Sequence, residues 1–124
     1  MASEQLGQEI GWLVAAADLS AKQYYFVDID SNGKIALASA AGQATLGILQ
    51  NKPKAGEAAS VRYLGVSKCI AGTGGLTAGQ AVQAAADGTA IAASTGDYTG
   101  WMAVETAAAG VTGTIVSLVG GQNN

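Results

Sequence analysis

The chain has 124 residues, with 26 Ala and 18 Gly against one Phe, two Trp and four Tyr, and six basic and nine acidic side chains give a net charge of −3. That length is one domain, and its small side chains each bury little apolar area, so an isolated copy is expected to be marginally stable and inclined to self-associate. The absence of His removes the commonest general base and metal ligand, and the scattered cations form no basic block of the kind nucleic acid needs.

The first 23 residues, MASEQLGQEIGWLVAAADLSAKQ, carry few turn signals. Ile10, Leu13, Val14 and Ala17 fall on a helical stripe, but Gly7 and Gly11 each weaken a helix by about 1 kcal/mol relative to Ala. The segment therefore reads as an N-terminal arm (residues 1–23) with one apolar knot at Trp12. Its apolar run, Ile10 to Ala17, is far short of the ~20 residues of a membrane span. Glu4 and Glu9 stand before the run where a signal peptide needs positive charge, so the run is read as part of the mature protein.

Strand signals then recur. QYYFVDI ends in the turn DSNG, Asp30 to Gly33, and KIALAS alternates Ile35 and Leu37 with small residues. TLGILQN leads to KPKAGE, a turn holding Lys52, the only proline, Pro53, and Lys54. ASVRYLGVSKCIAG is the longest strand candidate. Alternation puts Val61, Tyr63 and Cys69 on one face and Arg62, Leu64, Val66, Lys68 and Ile70 on the other. GTGG breaks it, and QAVQAAADGTAIAAS reads as two short strands about Asp87-Gly88. The competing helix, Thr77 to Ala86, is interrupted by Gly79 and Val82. GWMAVETA and GTIVSLVG complete the domain, residues 24–120, and 121–124 read as a flexible tail. About eight short strands at this spacing predict an all-β, antiparallel barrel or sandwich.

Candidate chemistry is thin. Cys69 lies mid-strand among apolar neighbours and reads as a small buried hydrophobe; alone, it cannot form an internal disulfide, which suits a reducing compartment. DIDSNG resembles the opening of a calcium loop, but its position 12 is Ser39, so Asx-type side-chain bonds in a polar turn are the better reading. GTGG lacks the Lys of a phosphate loop. Glu57, Asp97 and Glu105 are isolated in sequence. Lys52 and Lys54 beside Pro53 suit a solvated hairpin tip that blunts edge pairing, or a contact with an acidic neighbour. No catalytic residue, cofactor or metal is expected.

The stretch Ala44 to Val82, with its GILQNKP strand, AGE turn, VRYLGV strand and LTAGQAV approach to a Gly/Asp hairpin, resembles the small phage head decoration proteins, also called capsid cement proteins. GWMAVETAAAG and TIVSLVG extend the resemblance to about Tyr24–Gly120. It implies a β-rich structural protein, often a homotrimer, on the outer surface of an expanded capsid. There it would sit at local three-fold positions and hold major capsid protein subunits against the pressure of packaged DNA. It also implies a virion location after synthesis in the host cytoplasm, and the charge and apolar runs noted above lead to no expected nucleic-acid or membrane partner. In that setting the arm would order on docking and add a strand to a capsid edge. Ile10, Trp12, Leu13, Val14, Lys52 and Lys54 are then the expected partner contacts, and Tyr63 and Trp101 the expected oligomer interface or core. Burial of Trp12 against its own barrel is the alternative at that position. Two rival functions share the composition. One is a phage tail or baseplate subunit, and the other a small carrier module presenting Lys52 or Lys54, although the lysine-centred carrier tripeptides are absent.

Overall fold

A computed structural model describes residues 7–93 and 98–123. Met1 to Leu6 of the expected arm, Glu4 among them, and also Asp97 and Asn124, lie outside the described residues. The chain is all-β: β1 Gly7–Ile10, β2 Phe26–Ile29, β3 Ile35–Leu37, β4 Gly47–Leu49, β5 Val61–Ile70, β6 Ala81–Ala84, β7 Ala90–Ala92, β8 Tyr98–Ala103 and β9 Thr112–Asn123. These form one curled antiparallel sheet in the order β3-β2-β4-β5-β9-β8-β6-β7, with β1 added to β5. Eight of the nine are the strands expected from the sequence. Thr77 to Ala86 is a turn followed by β6, not a helix, and β9 continues through the positions expected as a tail.

The turns form for local reasons. Asp30 Oδ1 accepts the backbone N–H groups of Asn32 and Lys34 at 2.9 and 3.0 Å, and Gly33 takes the left-handed φ of 77° that closes the turn. At the second hairpin Asp87 Oδ1 accepts from the Thr89 amide and hydroxyl, with Gly88 at φ 85°. That turn also meets the other end of the sheet, since the Phe26 N–H donates to the Gly88 carbonyl at 2.8 Å and a Cβ on Gly88 would strike Leu37. The sheet thus curls until its two ends touch.

Two apolar clusters hold the curl. The inner one gathers Phe26, Ile48, Cys69, Val82, Trp101 and Ile115, with the Phe26 and Trp101 rings edge-to-face at 6.2 Å. The outer one gathers Ala15, Leu19, Val27, Ile35, Leu49 and Val61 on the opposite face of β2 and β4. Adjacent residues in one strand, Phe26 and Val27 or Ile48 and Leu49, therefore enter different cores, which is why β4 is buried at every position. β5 crosses between these regimes. Val61 belongs to the outer cluster and Cys69 to the inner one, so the single face predicted for both is corrected. The pairing with β1 skips Tyr63, and Gly65 has φ 107°; this bulge shifts the alternation by one residue.

The helical stripe is corrected as well. After β1 the chain runs as an irregular cover over the outer cluster. The Ala16 N–H donates to the Ile35 carbonyl and the Ile35 N–H to the Val14 carbonyl, each at 2.8 Å. Ala15 N–H donates to Glu57 O and Leu19 N–H to Pro53 O, both at 2.9 Å. Two glycines and a need to satisfy the edge of β3 favour this path over a helix. From Gly7 onward, the segment expected to order only on docking is laid on its own domain.

Candidate functional site

The expected contact residues come from two segments that the fold brings together. Ile10 pairs with Val61, Val14 bridges Ala58, and the Leu13 carbonyl accepts the Ala59 N–H at 2.8 Å. Ile10, Leu13 and Val14 are half-buried and spend their apolar area on the domain itself. Trp12, held between anchored neighbours, is 77% exposed, so burial against its own barrel does not occur. A large aromatic on a segment fixed at both sides has little backbone freedom left to lose.

The KPKAGE stretch is a turn, as expected. Lys54 N–H donates to Glu57 Oε1 at 2.8 Å and Glu57 N–H returns a bond to the Lys54 carbonyl at 2.9 Å. Pro53 is buried beneath the cover segment, while Lys52 and Lys54 are exposed. Bonds from Ala15 and Leu19 set this turn against residues 15–19 of the cover, several residues along from Trp12.

Tyr63 and Trp101 do not meet. Trp101 fills the inner core at 7% exposure. Tyr63 is exposed and its hydroxyl donates to Gln8 Oε1 at 2.9 Å, fastening β1.

A cleft of about 350 Å³ opens where β4 parts from β5. Arg62 and Lys68 line it, as do Tyr24 and Gln50. Arg62 is ion-paired with Glu9, and its Nη1 donates to the Val66 carbonyl at 2.7 Å, which leaves Nε buried without an acceptor. The Ser60 hydroxyl and then the Arg62 guanidinium hold the Glu9 carboxyl below its ordinary range. Lys68 pairs with no carboxylate among the described residues, and its Nζ stands 5.7 Å from the centre of the Tyr24 ring. Tyr24 itself has φ 72°, the one non-glycine among the described residues in the left-handed region. Sequence reasoning missed both Glu9 as the partner of Arg62 and the turned backbone of Tyr24; neither leaves a local signal.

The remaining candidates carry little chemistry. Cys69 is fully buried, and loss of solvation pushes its thiol up to about 11, which makes it a packing residue. Asp28 and Asp30 spend their oxygens on neighbouring amides and Gln43, and among the described residues no group of three metal-ligating side chains is gathered. Glycines in the GTGG stretch form a turn, where Gly75 N–H donates to Gly72 O at 3.0 Å.

No family model matches this chain, and no curated protein matches it. Among solved structures it is similar to the N base of head fiber gp8.5 in bacteriophage phi29. The TM-score is 0.73 at 18% identity, over 94% of this chain and 100% of that one. The expected likeness to a phage head protein is met at the level of the fold, since the curled sheet described above is similar to that of the phi29 head fiber base.

Proposed function

We propose that this chain is a structural protein of a phage virion that docks on the outer surface of the capsid. The observation that carries this reading is the whole-chain fold likeness to a head fibre base. It acts as structure, not as an enzyme. In the fuller form of the proposal it forms a homotrimer at local three-fold positions, made in the host cytoplasm and added to the shell. There it holds neighbouring major capsid protein subunits together. Trp12, 77% exposed on an anchored segment, supplies an aromatic anchor, and Lys52 and Lys54, exposed on the turn that the same segment crosses at residues 15–19, supply charge for an acidic neighbour. Three copies in a closed ring would engage together, so that weak single contacts add up to firm attachment.

Quantifying the chain against the major shell protein in gradient-purified particles, with heads and tails separated, tests this. Many surface-accessible copies on heads support the proposal. A few copies confined to tails would move it to a tail or baseplate subunit, and absence from particles would sink it.

A further inference from the structure

We infer that the outer face of β5, β9 and β8, with the cleft at its margin, receives a segment of a partner protein presenting an apolar side chain next to a carboxylate. The register builds the surface. Val66 pairs with Val116, and Val116 with Met102, so three apolar side chains lie in one row across three strands. Val66 and Met102 are 39% and 36% exposed, and no described segment of this chain covers them as residues 13–19 cover the outer cluster. The next row sets Lys68 against Thr114, whose carbonyl accepts the Val104 N–H at 2.9 Å; Val104 is 53% exposed. Val66 belongs both to the apolar row and to the cleft, which makes the two features one surface.

Charge selects the occupant. Lys68 has no carboxylate partner among the described residues and is held over the Tyr24 ring, a contact that keeps it beside the cleft. Arg62 is already answered by Glu9, and the Thr114 hydroxyl donates to Glu105 Oε2 at 2.6 Å. Lys68 is thus the cation at this margin without an ion-pair partner among the described residues, so one added carboxylate fits beside it, while Glu9 and Glu105 close by repel a polyanion. An acidic side chain flanked by an apolar one satisfies both rows, whereas a nucleic-acid backbone or a free polyphosphate satisfies neither. Only the identity of the partner as another virion subunit rests on the function proposed above; binding itself is tested on the free protein.

The test is a backbone-amide NMR titration of the full chain with acetyl-Val-Glu-Val-amide, using acetyl-Val-Gln-Val-amide and inorganic phosphate as controls. The expected result is saturable shifts at residues 66–68, 102 and 114–116. The glutamine peptide should bind about fivefold more weakly, and Lys68→Gln should remove that preference without altering the rest of the spectrum. Shifts centred elsewhere, equal binding of the two peptides, or phosphate binding as tightly as the glutamate peptide would each overturn the assignment. So would a preference that survives Lys68→Gln. If instead the chain proved absent from heads while these shifts appeared, the surface would stand and the virion reading would fall.

Discussion

The two halves of the sheet solve the same problem differently. Around β2 and β4 the strands are buried on both faces, with the inner cluster on one side and residues 13–19 laid over the other. Around β5, β9 and β8 the described side chains are buried on the inner face, and the outer face keeps Val66, Val116 and Met102 open or half-open. A chain this rich in Ala and Gly has few large side chains to spare; beyond the inner cluster it places Val27, Ile35, Leu49 and Val61 where its own N-terminal segment can cover them. The covered half therefore gains a second buried face beyond the inner cluster the two halves share, and the bare half keeps its outer face open.

The strongest way to break this comparison is to remove the cover. Deleting Met1 to Leu19 strips Leu13, Ala15 and Leu19 from the outer cluster and frees the edge of β3. The expected loss is on the order of 5 kcal/mol, comparable to the whole stability of a small domain, so cooperative thermal unfolding should vanish. A truncated chain that melts within a few degrees of the intact one would show that the outer cluster is dispensable.

Point substitutions sharpen the same contrast. Leu49→Ala, fully buried on the covered side, should cost about 3 kcal/mol in urea unfolding. Met102→Ala, on the bare face, should cost under ~1 kcal/mol. Similar costs at the two positions would mean that the bare face is covered in solution, most simply by a second copy, and the Met102 value would then rise with protein concentration.

How much of this was readable beforehand differs between the halves for a physical reason. β5 as a strand and the Asp30 and Asp87 turns are legible because strand propensity and turn chemistry are local, whereas the bulge at Tyr63 that shifts the faces of β5 is not. The two-sided burial of β4 is not, since GIL presents no alternation, and a strand buried on both faces looks like any short apolar run. Ile10, Leu13 and Val14 stand out in the sequence as an apolar stripe, but their spacing suggests a helix. What decides their path is the open edge of β3 and the carbonyls of residues 53–57, which no nearby residue announces. Likewise Arg62 was visible as a cation, while its partner Glu9 lies 53 residues away.

A smaller effect tests how β1 is fastened. The Glu9 carboxyl is held below its ordinary value of 4.5, so its contribution is complete above that pH and is lost as pH falls through the lowered value. Both partners are partly exposed, which limits the pair to at most ~1 kcal/mol. Glu9→Gln should therefore lower stability slightly at pH 7 and reduce the difference between pH 7 and pH 3. A variant with the full wild-type pH dependence would show that β1 is held by its backbone ladder alone.

Trp12 should give the smallest effect on stability and the most informative one on function. Its side chain has almost no packing to lose, so Trp12→Ala should change the unfolding free energy by no more than ~0.5 kcal/mol. If it is an anchor, the same change should weaken attachment to purified heads by more than about tenfold in a co-sedimentation assay, the usual signature of a central aromatic contact. The two readouts separate here because the segment is fixed by its backbone at Ile10 and Leu13, leaving the indole no structural duty. Unchanged attachment would move the contact to the bare face of β9 and β8, where Lys68→Gln and Met102→Ala become the variants that should detach the protein.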